Sequence, residues 1–231
     1  MVHSLLEYMN GRLEKNKQEI EKEQRVSGPV ITISRQTGCG GMKIARLLCD
    51  RINEHSHIPW RVLSKEVFQE SARHLSMNND ELYSKLLAET SDDILKEMLL
   101  AFGDPHAATP SVVRKTVFDV VRAFSNSGHC IIVGRAANVI DSDIVNALHV
   151  RLEANYAWRL SNIQKAHDYD LKQATAFINK TEEARDYFRD SMHSIVKHKT
   201  SFSMMVDVSA FSVLRAVDLL YEAAKIKGVV I

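Results

Sequence analysis

Residues 30–52 constrain this chain more than any other stretch. Val30-Ile31-Thr32-Ile33 is β-branched throughout and shows no alternation of apolar and polar faces, the pattern of a strand buried on both sides in a parallel sheet. It runs directly into Ser34-Arg35-Gln36-Thr37-Gly38-Cys39-Gly40-Gly41. Beyond that loop, Ile44, Leu47, Leu48 and Ile52 recur at helical spacing, marking one face of a helix that begins near Met42. A strand–loop–helix unit of this kind aims backbone N–H groups, and the positive end of the helix dipole, at whatever sits above the loop. Glycines at 38, 40 and 41 permit positive φ and close approach of an anion. The unit therefore predicts a phosphate site; a plain tight turn between strand and helix is the other reading.

The rest of the chain alternates in the same sense. Trp60–Leu63, His129–Val133 and Ala147–Leu152 read as further strands, and residues 204–208 as a short last one. Helical periodicity covers Lys65 to about Leu100, Val112–Phe124, residues 156–199 and a final helix that turns Leu214, Val217, Leu220 and Tyr221 inward. Gly103–Pro110 reads as a loop. Strands alternating with helices imply an α/β fold with a parallel sheet and right-handed crossovers. Upstream, residues 4–25 form a charged helical stretch with Leu6, Leu13 and Ile20 spaced by sevens, broken at Ser27-Gly28-Pro29. One apolar row is thin for a coiled coil, so a solvated helix lying on the domain or on a partner subunit is expected.

Composition narrows the class of partner. With 30 basic and 29 acidic residues the net charge is +1, so no global field favours a nucleic acid, and any anion site must be local. Three cysteines, Cys39, Cys49 and Cys130, form no C-x-x-C pair and read as reduced thiols. The start, MVHSLLEYMN, lacks the basic and apolar regions of a secretory leader. No apolar run approaches the ~20 residues of a membrane span. A cytoplasmic protein with no membrane and no nucleic-acid partner is expected.

The loop is not a standard Walker sequence. Aligning the second glycine of G-x-x-x-x-G-K-[ST] with Gly40 puts Gly41 at the lysine and Met42 at the hydroxyl residue. Lys43 falls in the first helical turn, where the dipole disfavours a cation by about 0.3–1 kcal/mol; a bound polyphosphate would reverse that sign. Arg35 could bring a second cation to the same anion, and either residue could instead be solvated. Arg135 follows Ile131-Ile132-Val133-Gly134, at the carboxyl end of a buried strand, where open α/β sheets bind ligands. A guanidinium fork there suits a phosphate; a surface salt bridge is the other reading. Asp141 and Asp143 are near enough to that strand to be weighed for magnesium, but could equally cap a turn. The pairs His55/His57 and His193/His198 have no third ligand at metal-site spacing. Cys39 is either a thiolate favoured by the helix dipole or a small neutral filler. Trp60 and Trp158 read as packing residues.

Ile31-Thr32-Ile33-Ser34-Arg35-Gln36-Thr37-Gly38-Cys39-Gly40-Gly41 resembles the S-R-Q-x-G-x-G-G signature of the cytidylate kinase-like family, whose loop also lacks the usual lysine. Val62-Leu63-Ser64-Lys65-Glu66-Val67 and Ile131-Ile132-Val133-Gly134-Arg135 resemble two further segments of that family, and the order and spacing agree over roughly residues 28–220. The resemblance implies a three-layer P-loop kinase-like fold over 27–231, with a helical cap at about 65–127, a lid at about 156–190, and residues 1–26 as an N-terminal helical extension. It implies ATP bound at Ser34, Arg35, Gln36, Thr37, Gly38, Cys39, Gly40, Gly41, Met42 and Lys43, Mg2+ as a further cofactor, and a monophosphate acceptor, of (d)CMP type, under the cap. Arg135, Arg159 and Arg185 would be the catalytic cations, the last two from the lid, although either could be an ordinary exposed helix charge. The chain departs from the family pattern at Ser64, where an acid is expected, at Asn162, where the lid carries another arginine, and at Thr181, where an aspartate is common; its magnesium ligands are unassigned. Two functions follow: phosphoryl transfer from ATP to a nucleotide-like acceptor, or a non-catalytic nucleotide-binding sensor forming a homodimer through the 4–25 helix. A plain interaction domain without a ligand is the third.

Overall fold

A computed structural model of the chain describes residues 27–63, 110–196 and 201–230. The expected helices at 4–25 and 65–100, the loop at 103–109, most of the helical cap, and Ser64 and His198 lie outside these residues.

The described elements run β1 (Val30–Arg35), α1 (Gly41–Asn53), β2 (Arg61–Leu63), α2 (Pro110–Ser127), β3 (Cys130–Val133), α3 (Ala137–Ile140), β4 (Ala147–Glu153), α4 (Tyr156–His167), α5 (Leu171–His193), β5 (Met204–Asp207) and α6 (Val213–Ile226). All five strands are parallel, in the order β2-β3-β1-β4-β5. The unbroken apolar runs of β1 and β3 place both in the middle of the sheet, where each is covered on two faces. Pairing is in register from Val30 opposite Cys130 and Ala147 onward.

The period-two geometry of β1 divides the interior into two cores. Ile31 and Ile33 join Leu148, Val150 and Leu152 of β4 beneath α1 and α6, through Ile44, Leu48, Ile52, Val217, Leu220 and Tyr221. Val30 turns the other way, with Cys130 and Ile132, to meet Val117, Val120 and Val121 of α2, Ile140 of α3, and Phe188 and Met192 of α5. Thr32 faces this second layer, its hydroxyl 2.8 Å from Nδ1 of its sheet neighbour His149. The result is a helix–sheet–helix sandwich, as the alternation of elements predicts.

The helical stretch read over 156–199 is a hairpin in its described part: Asp168 adopts φ 54 to close α4, and Asp170 opens α5 through a reciprocal capping box with Gln173. One local reading changes. Leu214 is not inward but 66% exposed. It lies in the first turn of α6, and the covered face begins at Ala216.

The carboxyl ends of all five strands point to one side of the molecule. The connection leaving β1 runs toward β2, and the one leaving β4 runs toward β5. These neighbouring strands therefore feed opposite halves of the sheet, the condition that opens a crevice above their ends.

Candidate active site

The glycine-rich loop sits at that crevice. Gly40 has φ 66 and precedes α1 as its N-cap without offering a side chain, and no acidic residue lies in the first turn. The first N–H groups of α1 therefore have no side-chain cap. A Cβ built on Gly40 would meet nothing within 4 Å, so the space beside it is open. An uncapped helix start beside open space suits an anion. Lys43 is exposed on the first turn. Cys39 is 1% exposed and burial pushes its thiol up to about 11, so it is the neutral filler of the two readings.

Beside the loop opens a cavity of about 740 Å³, and its chemistry is cationic. Arg35 from β1, Arg135 from the turn after β3 and Arg185 from α5 all line it, so three of the arginines weighed from sequence meet there. Arg151, Lys180 and Arg189 line it as well. Among the described residues the acids on its wall are Glu182 and Asp186, and both are engaged: Glu182 with Arg159 at 2.9 Å, Asp186 with Arg189 at 3.0 Å. Burial, then the charges of Arg185, Arg135 and Arg151, push the Arg35 guanidinium down to about 9. Burial and Arg185 push Arg135 down to about 10, and burial lowers Arg185. These groups remain cationic at neutral pH, yet each is held where a positive charge is disfavoured. A polyanion placed among them would relieve both burial and repulsion.

The backbone that carries Arg135 is strained. Gly134, Arg135 and Ala136 have φ of 77, 56 and 51 in succession. Left-handed conformations at the two non-glycine positions cost of order 1 kcal/mol each. Arg135, carried on this turn, lines the cavity.

Arg159 is elsewhere. Only 7% exposed, it donates to the carbonyls of Ala154 and Thr37 and pairs with Glu182; it does not line the cavity. Asn162 donates to the Gly38 carbonyl at 3.0 Å, and Arg185 to Thr37 Oγ1 at 3.1 Å. The backbone N–H of Thr37 donates to Glu182 Oε1 at 2.8 Å. The α4–α5 hairpin is thus laid on the loop. Nor is it poor in apolar anchors, as its polar sequence suggests: Ile163, Ala174 and Ile178 form a small core of their own, and Phe188 and Met192 belong to the domain interior.

Asp141 and Asp143 serve the scaffold. Asp141 is fully buried and accepts from Ser125 at 2.6 Å; Asp143 takes a two-pronged bond from Arg122. Neither lines the cavity. Among the described residues no group of three His, Cys, Asp or Glu could hold a metal, and Met42 replaces the hydroxyl that would face one. The described residues do not fit a magnesium ion held by the chain itself. Trp60 packs as expected, buried and edge-on to His129 with ring centroids 5.7 Å apart.

Four site residues escape a reading of the sequence: Glu182, Arg151, Lys180 and Arg189. Arg151 carried a signal, a charge interrupting the apolar run Ala147–Leu152 close to its carboxyl end. Arg189 lies one helical turn from Arg185, on the same face. For Glu182 there was none, because its partner Thr37 is 145 residues away.

The cytidylate kinase-like family matches residues 30–210. No curated protein matches the sequence. Among solved structures, an uncharacterized protein from Eubacterium ventriosum is similar, with TM-score 0.59 and 17% identity over 85% of this chain and 98% of that one. A shikimate kinase from Bacteroides thetaiotaomicron aligns at TM-score 0.44 and 13% identity over 85% and 98%. With a match that spans the sheet, the loop and the arginine cavity, the chain belongs to the cytidylate kinase-like family, which supports a nucleotide-kinase-like function.

Proposed function

We propose that the protein transfers the γ-phosphoryl group of ATP to a small nucleotide-like monophosphate, with a (d)CMP-type acceptor the first to test. The observation that carries this reading is the convergence of Arg35, Arg135 and Arg185 on one cavity at the carboxyl ends of β1 and β3, beside an uncapped helix start. Phosphoryl transfer asks little covalent chemistry of a protein. It asks for two phosphates held in line and for charge to be neutralised as it shifts between oxygens. Arg135 would hold the acceptor phosphate, Arg185 would face the transferring group, and the loop amides of Gly40, Gly41, Met42 and Lys43 would take the donor. Magnesium would arrive with the nucleotide, coordinated by its phosphates and water. Arg159, tied to Thr37 and Glu182, would set the position of the hairpin rather than touch the reacting atoms.

The test is ADP formation from ATP and magnesium across a panel of nucleoside monophosphates. Turnover on one acceptor, lost in Arg135→Ala, is the expected result. ATP binding with no turnover on any acceptor would favour the second reading, a nucleotide sensor. That reading has its own support in the Thr37–Glu182 contact, a bond that nucleotide binding could exchange for another.

A further inference from the structure

Resting on the phosphotransferase reading, we propose that Arg35 takes the part of the lysine missing from the loop, supplying the cation that meets the donor's polyphosphate. The first support is an exchange in the motif itself. With Gly40 as the second glycine of G-x-x-x-x-G-K, the first glycine position is Arg35 and the lysine position is Gly41. The positions have traded a cation for a glycine.

The second support is that the two positions touch. A Cβ built on Gly41 would lie 3.1 Å from Arg35 Cγ and 3.3 Å from Cδ. The arginine stem thus crosses the volume in which a side chain at 41 would begin. Farther along, a Cβ on Gly134 would lie 2.2 Å from Arg35 Nη1. The guanidinium therefore rests on the turn after β3, and a glycine at each end keeps its path clear. From there it lines the cavity, next to the helix start where a phosphate chain would lie.

The third support is the charge around it. No carboxylate among the described residues pairs with Arg35, and its charged neighbours are chiefly Arg135, Arg151 and Arg185. A buried cation facing cations is a poor structural element, and no charge among the described residues offsets its desolvation as an incoming anion would. Backbone amides alone offer dipoles to a triphosphate; a full charge among them is what phosphoryl transfer uses to offset the negative charge of the donor.

The exchange can be reversed experimentally. Calorimetry on the full chain would compare ATP binding by the wild type, Arg35→Ala, Gly41→Lys and the Arg35→Ala/Gly41→Lys double variant, with CMP titrated in parallel. Arg35→Ala should weaken ATP at least tenfold and leave CMP nearly unchanged. The double variant should regain most of that loss, since Gly41 has no positive φ and removing the arginine stem frees the space at 41. Gly41→Lys alone should not tighten ATP, because the new stem meets Arg35. Thermal melts report folding, and Arg35→Lys, which keeps the charge, replaces Arg35→Ala if that variant does not fold; it should lose less. Unchanged ATP affinity in Arg35→Ala, loss confined to CMP, or failure of the double variant to recover would each overturn the assignment. A wild type that binds no ATP at all would instead sink the phosphotransferase reading, and this inference with it.

Discussion

The backbone N–H of Thr37 donates to the carboxylate of Glu182 at 2.8 Å, and the same oxygen lies 2.9 Å from Nη1 of Arg159. One acid thereby ties the glycine-rich loop to both helices of the hairpin above it. Glu182→Ala should free the loop amide and strand a buried guanidinium. We expect a loss of about 1–3 kcal/mol in stability, the usual penalty for a buried polar group deprived of its partner. Urea unfolding measures it, and a variant as stable as the wild type would show the contact to be incidental.

The same geometry separates the arginines. Arg159→Ala should lower stability and weaken donor and acceptor together, since Arg159 holds the loop through Thr37. Arg135→Ala should leave the melting temperature near that of the wild type and reduce kcat/KM for the acceptor by about 10- to 150-fold, corresponding to ~1.5–3 kcal/mol for a charge-assisted bond. A kinetic effect of Arg159→Ala with no change in stability would return that residue to the catalytic group.

Gly134→Ala tests the corridor from the other end. Its Cβ would fall 2.2 Å from Arg35 Nη1, on a residue with φ 77. The arginine must move or the turn must change. ATP affinity should fall by tenfold or more, as in Arg35→Ala, with a stability cost of about 1–2 kcal/mol from the left-handed backbone. Calorimetry and a urea melt on the same preparation separate the two effects. Full ATP affinity would mean that the guanidinium can do without this path.

Asp141 sets a pH dependence of folding. Burial raises its carboxyl to about 7, opposed by the Ser125 hydroxyl and by Arg122, whereas an unfolded aspartate titrates near ~3.9. Between these values the folded chain binds a proton that the unfolded chain has released. The contribution is therefore most favourable below about pH 4 and is lost as pH rises toward 7, over a span of about 2–4 kcal/mol. Urea midpoints should fall from pH 5 to pH 8 in the wild type, and the fall should flatten in Asp141→Asn. An equal slope in both would place the titrating group elsewhere.

Hydrogen exchange tests the lid. Because Phe188 and Met192 are anchored in the domain core, closure would pivot within α5, ahead of Phe188, rather than move the whole of 156–190. Amides in α4 and the first half of α5 should exchange faster than those near Met192, and slow when ATP and the acceptor are both present. Uniform protection along the hairpin without ligand would show a rigid element.

Local chemistry was enough to make much of this molecule readable in one dimension. The β-branched runs at 30–33 and 131–133 read as strands buried on both faces of a parallel sheet, and the glycines after the first as a loop leading into a helix. The placing of Arg35 and Arg135 at strand ends was legible for the same reason, since a strand's direction decides where its last side chain emerges. What the hairpin does was not legible. Its polar surface reads as a solvated lid, while Ile163, Ala174 and Ile178 become a core only when α4 and α5 fold together. Nor can sequence alone tell an arginine that faces a ligand from one that holds a loop. Arg185 and Arg159 sit in equally polar stretches, and the difference lies in where Glu182 and Thr37 meet, 145 residues apart. Contacts of that range are set by how the sheet order brings β1 beside β4 and folds the hairpin back across their ends. Tertiary packing alone decides which buried charges find a carboxylate and which are left facing the cavity.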